Sequence, residues 1–195
     1  MGWNVLVLIP DRTTDTWNIG LLETLWKVAE ALIDTGQRAS LQFHDGLHGF
    51  RSRGGMGAAI MKLKLAQELA RADHKPLFLV VLDLWKAYDT VDRDRLIQTL
   101  EVYGAGPHMC GLLETLWDHQ KVAPIKNSYH RPAFSDTWGT IQGGLVSPPL
   151  FNVVVDNVIR TWLAMTVKDQ RLAHNRLGET VGWCLGVFYA DDGMV

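Results

Sequence analysis

The chain has 195 residues, 47% hydrophobic and 21% charged, a globular composition that excludes collagenous, disordered and low-complexity chains. Nineteen basic residues against 21 acidic ones leave a net charge of −2, so no global positive field announces a nucleic-acid partner, although a local basic groove is enough to bind a phosphate backbone. Two distant cysteines, Cys110 and Cys184, exclude a disulfide scaffold and a zinc ribbon, and the lack of a membrane-length apolar run or a signal peptide predicts a soluble protein that is not secreted.

In chain order, the apolar run Val5–Ile9, closed by Pro10, predicts a buried strand, and residues 11–18 a hairpin or loop. Leu22, Leu25, Trp26, Ala29, Leu32 and Ile33 keep helical spacing, and that helix should end near Gly36. His44 and His48 lie four residues apart, but Gly46 and Gly49 speak against a helix there, so the pair reads as structural ahead of a metal site. The Gly-rich basic segment 49–57 leads into an amphipathic helix over 58–71, and basic groups at a helix start suit an anion. Arg51 and Arg53 are therefore candidates for phosphate contact, with a solvated face as the alternative.

After Pro76 the run Leu77–Leu82 has no polar face, which predicts a central strand covered on both sides and ending at Asp83. Helices are expected over 93–102 and 108–120, and strand-like, loop-rich chain over 122–138. A long helix over 148–167, with Phe151, Val154 and Val158 on the face packed under a sheet, is followed by an exposed loop over 168–180. A last apolar strand, 184–190, runs straight into Asp191-Asp192.

Two buried-type strands that both end in carboxylates are costly for stability alone, because clustered carboxylates repel and raise their own pKa values unless a cation compensates. Mg²⁺ suits such a cluster, since it takes one or two carboxylates plus substrate phosphates. Each Asp taken singly could equally end a strand or start a turn. An unrelated metal-dependent phosphohydrolase could also use clustered aspartates, but would not require the other motifs.

Three segments carry a resemblance. Leu82-Asp83-Leu84-Trp85-Lys86-Ala87-Tyr88-Asp89 resembles the first catalytic motif of reverse transcriptases of the group II intron and non-LTR retrotransposon type. Ile141-Gln142-Gly143-Gly144-Leu145-Val146-Ser147-Pro148 is similar to their second motif, and Phe188-Tyr189-Ala190-Asp191-Asp192 to their catalytic hairpin. The anchors Asp83, Gln142 and Asp191 fall in the family's order, 59 and 49 residues apart. Leu47-His48-Gly49-Phe50-Arg51 also resembles a fingers motif.

The resemblance implies an α+β fold, the fingers and palm of a right-hand polymerase, with an antiparallel palm sheet packed on helices and the thumb absent. Residues 1–75 and 92–138 would be fingers-like, and 76–91 and 139–195 palm-like. It implies Mg²⁺, or Mn²⁺ as a substitute, on Asp83, Asp191 and Asp192. The nucleotide would meet the backbone amides of Leu84 and Trp85, the ring of Tyr88 as a steric gate against ribonucleotides, and Gln142 and Gly143. The implied partners are an RNA template, a DNA or RNA primer and a dNTP, with no membrane; oligomeric state stays open.

Three positions depart from the family pattern: Asp11, Trp17 and Trp85 stand where basic residues are usual, and Arg12 is a possible substitute for one of them. With the chain ending soon after Asp192, little processive activity is expected of this piece by itself. A truncated, inactive remnant that folds and binds nucleic acid is the competing reading.

Overall fold

The computed structural model describes residues 4–10, 16–38, 41–51, 54–74, 76–126, 129–168 and 186–194. Asp11, Arg12, Arg53, Cys184 and the loop expected after residue 168 lie outside the described residues. The chain divides into two compact units, one of residues 1–42 and 86–151, the other of 43–85 and 152–195.

In the first unit, β1 (Asn4–Pro10) and β2 (Thr16–Leu21) pair antiparallel from Val5↔Leu21 to Pro10↔Thr16, so residues 16–18 of the stretch expected as a hairpin or loop are strand. β1 also pairs in parallel with β4 (Lys121–Lys126), which carries the short strands β5 (Tyr129–His130) and β6 (Phe134–Ser135). Three helices belong to this unit: α1 (Thr24–Arg38), α3 (Arg93–Val102) and α4 (Pro107–Asp118). Asp92 caps α3 by accepting the Arg95 N–H, and α4 opens with Pro107, where a missing N–H costs nothing.

Leu96, Leu100, Leu113, Trp117, Val122, Leu150 and Phe151 are buried in this unit. On α1 the apolar stripe splits. Leu22 and Ile33 are buried, whereas Leu25 and Leu32, placed by spacing on the same stripe, are 78% and 72% exposed. The buried face of α1 is narrower than the apolar sector its sequence offers.

The second unit holds α2 (Met56–Ala72), most of α5 (Ser147–Lys168) and an antiparallel sheet ordered β3-β8-β7. β3 (Val81–Asp83) pairs with β8 (Asp192–Met194), and β8 with β7 (Val187–Tyr189). Leu47 bridges Phe188 in parallel, its neighbours bonding through Phe188 N–H to Gly46 O (2.8 Å) and His48 N–H to Phe188 O (2.7 Å). This extends the sheet beyond β7.

Two expectations are corrected here. Among the described residues the run 77–82 is no covered central strand: only Val81–Asp83 is strand, it forms one edge of the described sheet, and Val81 is 68% exposed. A uniformly apolar run carries no periodicity to say how many faces are covered. On α5, Phe151, Asn152, Val155, Asp156 and Ile159 are buried while Val158 is 58% exposed. The buried stripe includes two polar residues, so apolarity alone put the wrong valine on it.

Candidate active site

The carboxylates come together through strand register. β3 and β8 place Asp83 directly opposite Asp192, so both project from one face of the sheet with Cβ atoms about 5 Å apart. Tyr189 pairs with Asp192, leaving Ala190 and Asp191 as the two-residue turn of the β7–β8 hairpin. Asp191 therefore sits at the tip, next to the cross-strand pair. Ala190 has φ 55°, the left-handed value that the first residue of a tight hairpin turn requires and that alanine adopts only with strain.

That hairpin is braced by the segment that precedes α2. A Cβ on Gly49 would lie 2.6 Å from the Ala190 nitrogen, so only glycine lets the two backbones approach this closely. Asn152 of α5 donates from Nδ2 to Gly49 O at 2.8 Å. The Asp156 carboxylate accepts the His44 N–H at 2.5 Å and pairs with Arg160 at 2.6 Å. The His44 ring accepts the Gly46 N–H on Nδ1 (3.0 Å), which fixes its neutral form, and burial lowers its pKa against the opposing pull of Asp156. Burial also lowers the pKa of His48, helped by Lys62 and Arg51. His44 thus serves the local packing through its ring and its backbone N–H.

Arg51 is engaged within the unit: its Nη1 donates to His44 O (2.7 Å) and Leu47 O (3.0 Å). Leu84 and Trp85 follow β3 and are exposed. Among the described residues no three His, Cys, Asp or Glu side chains converge as a ready-made metal cage. The facing pair Asp83 and Asp192, flanked by Asp191, instead fits a hard cation that takes few protein carboxylates and completes its shell with water and phosphate.

The other expected residues lie in the first unit. Gly144 N–H donates to Ile141 O (3.0 Å), closing a turn whose third residue, Gly143, has φ 104°. The turn is fastened to the end of β2: Gly20 N–H donates to Gln142 O at 2.7 Å, and a Cβ on Gly143 would strike Gly20 O at 2.5 Å.

Tyr88 stacks on the buried Phe151, ring centroids 4.7 Å apart and tilted by 27°. Its carbonyl accepts the Thr140 N–H (2.8 Å), and Gly139 N–H donates to Val91 O (2.8 Å). Arg93 clamps the same loop from α3, donating through Nε to Gly139 O (2.8 Å) and Nη1 to Asp136 O (2.6 Å), with its guanidinium 5.2 Å above the Trp117 ring. Burial lowers the Arg93 pKa, against Asp136 and Asp118.

Sequence reasoning missed Arg93, Asn152 and Asp156 as supports. Asp156 and Arg160 did carry a signal, an acid and a base four residues apart on a helix.

A family model described as "Reverse transcriptase (RNA-dependent DNA polymerase)" matches residues 9–195. The chain is 23% identical over 150 residues to the retrovirus-related Pol polyprotein from type-2 retrotransposable element R2DM of Drosophila melanogaster, a match that covers 77% of this chain and 14% of that protein. It therefore spans about a seventh of that relative's length. Among solved structures, telomerase from Candida tropicalis with a TWJ fragment of telomeric RNA superposes with a TM-score of 0.63 at 10% identity, over 98% of this chain and 35% of that one. Telomerase from Candida albicans, also with a TWJ fragment, gives 0.55 at 12% identity, over 98% and 37%. The fold is thus the α+β fingers and palm arrangement of that enzyme class, with an antiparallel sheet bearing the aspartates.

Proposed function

We propose that this chain, which belongs to the reverse transcriptase (RNA-dependent DNA polymerase) family, carries fingers and palm of the RNA-directed DNA polymerase of a retroelement. The observation that carries this reading is the register that sets Asp83 across from Asp192 with Asp191 at the hairpin tip. That arrangement supports the three aspartates as ligands of Mg²⁺, or of Mn²⁺ in its place. Two bound ions would supply Lewis acidity at the attacking and leaving oxygens of a phosphoryl transfer.

The chain's own groups bind and orient the substrates, an RNA template, a DNA or RNA primer and a dNTP. The primer 3′-oxygen bonds to the α-phosphorus, the bond to the β-phosphate oxygen breaks, and pyrophosphate leaves. Backbone N–H groups of Leu84 and Trp85 donate to the triphosphate, and Gln142 with Gly143 lines the nucleotide. Tyr88, backed by Phe151, excludes the 2′-hydroxyl by shape. Arg51 and Arg53 serve the nucleic-acid phosphates, Arg51 with the donor capacity left beyond its two carbonyl bonds. The fingers-like and palm-like segments are those given by the resemblance, and the relative's retrotransposable element supports a retroelement origin.

A second reading, an inert remnant, is favoured by Asp11 and Trp17, which stand where the family has basic residues. One experiment separates the two: Mg²⁺- or Mn²⁺-dependent dNTP incorporation on a primed RNA template, beside an Asp191→Asn, Asp192→Asn control. Incorporation abolished in the control supports the polymerase. A folded sample with none, even with Mn²⁺, leaves the remnant.

A further inference from the structure

Glu30 is an acid in the middle of α1, yet it is only 4% exposed. Acidic side chains are almost never this buried unless something specific holds them. Here the holders are backbone amides. The Leu145 N–H donates to Glu30 Oε2 at 2.5 Å, and the Val146 amide also points at the carboxylate. Burial raises the pKa of this group, while those two amides and, after them, the Trp26 indole one turn earlier pull it back.

The place of these amides gives the contact its meaning. α5 starts at Ser147, so Leu145 and Val146 immediately precede its first turn, where N–H groups lack partners within the helix and the helix dipole favours negative charge. The carboxylate also lies against Gly144: a Cβ there would be 3.2 Å from both Glu30 Oε1 and Oε2. Gly144 closes the Ile141–Gly144 turn, whose other side is fastened to Gly20. The segment running from Gly20 to Glu30 therefore grips this turn at both ends, by a backbone bond at Gln142 and a carboxylate at Leu145.

We infer that Glu30 is a positioning residue for nucleotide binding, its carboxylate fixing the Gln142-Gly143-Gly144 turn through the amides that lead into α5. The inference rests on the polymerase reading, because that reading gives Gln142 and Gly143 a nucleotide to meet. A carboxylate offers these amides two anionic oxygens, whereas glutamine leaves one neutral carbonyl oxygen for both and sets an NH₂ donor where the other oxygen stood.

The test compares the folded chain with Glu30→Gln and with Glu30→Asp, the latter keeping the charge but drawing it back from the two amides. Amide hydrogen exchange at Leu145 and Val146 should quicken about 10-fold in Glu30→Gln, as expected for the loss of one such bond, with Leu100 in α3 as an unaffected reference. The second readout is the concentration of Mg²⁺·dNTP that half-protects the Gly143 amide, which needs no turnover. It should rise about 10-fold in both variants, whereas a merely structural loss of stability would lower the folded fraction and leave this concentration unchanged.

Unchanged exchange at Leu145 and Val146 overturns the inference. So does faster exchange with an unchanged half-protecting concentration, or a wild-type chain that shows no protection by dNTP at all. A wild type that binds dNTP but never incorporates it sinks the polymerase reading and leaves the role of Glu30 standing. Should Glu30→Gln fail to fold, Glu30→Asp decides alone.

Discussion

Replacing Arg93 by alanine should destabilise the first unit by about 3–4 kcal/mol. Two short bonds from a charged guanidinium to Gly139 O and Asp136 O, at 2.8 and 2.6 Å, are worth about 1.5–3 kcal/mol each. The low end applies, because the loop carrying Asp136 and Trp138 is partly open to water that can replace a lost donor. The stacking over Trp117 adds about 0.5–1 kcal/mol. A third donor, Nη2 to Trp138 O at 3.4 Å, is too long to add much.

For a chain of this size the loss corresponds to a fall in Tm of about 6–16 °C. Arg93→Lys should recover less than half of it, since one ammonium cannot reproduce a fork that reaches two carbonyls. The assay is urea unfolding followed by both tryptophan fluorescence and far-UV circular dichroism, with coincident curves required before a free energy is taken. A loss below about 1 kcal/mol for the alanine variant, or a lysine variant equal to wild type, would falsify the clamp.

Other consequences follow from the second unit and from the departures in sequence. Ala190→Gly relieves a left-handed alanine and should stabilise the hairpin by about 0.5–1 kcal/mol, less than the full strain because glycine also gains freedom in the unfolded chain; an unchanged urea midpoint contradicts it. Gly49→Ala puts a methyl 2.6 Å from the Ala190 nitrogen and so must shift the turn that carries Asp191, lowering dNTP incorporation about 100-fold; full activity in a folded variant would show that the hairpin tolerates the shift. His44 has a pKa lowered from 6.5, so the stability linked to its neutral ring is fully present above about pH 6.5 and is lost as pH falls from there through the lower folded value, and His48 acts with the same sign. His44→Asn should therefore flatten the fall in urea midpoint between pH 7.5 and 5.5, and an equally steep fall refutes the assignment. Asp11→Lys with Trp17→Arg restores two basic groups and should lower the KM for dNTP at least about 10-fold; an unchanged KM would mean that neither position reaches the triphosphate.

The sequence made most elements legible because their signals are local. Asp92 three residues before the Arg95 amide, Pro107 opening a helix and the apolar period of 93–102 depend on near neighbours only, and α3 and α4 lie where they were expected. The facing of Asp83 and Asp192 was not legible in that way. It depends on which strand β8 chooses as a partner, and nothing in either strand's own sequence names the other. The exposed edge of β3 was misread for a related reason: apolar composition reports what a segment could bury, and the sheet order decides what it does bury. The support residues were hidden because their partners are backbone atoms. Arg93 meets carbonyls more than 40 residues away, and the Glu30 carboxylate meets amides 115 residues away.

Gly49, Gly139 and Gly143 share one physical role. Gly49 admits the Ala190 backbone, Gly139 at φ 75° leaves room for the Tyr88 and Asp89 carbonyls at 2.8 Å, and Gly143 admits the Gly20 carbonyl. Each is a contact of backbone with backbone, where any side chain would force movement of atoms that cannot rotate away. These glycines therefore mark where main chain crosses main chain, and the turn that carries Asp191 and the backbone that carries Tyr88 take their positions from two of those crossings.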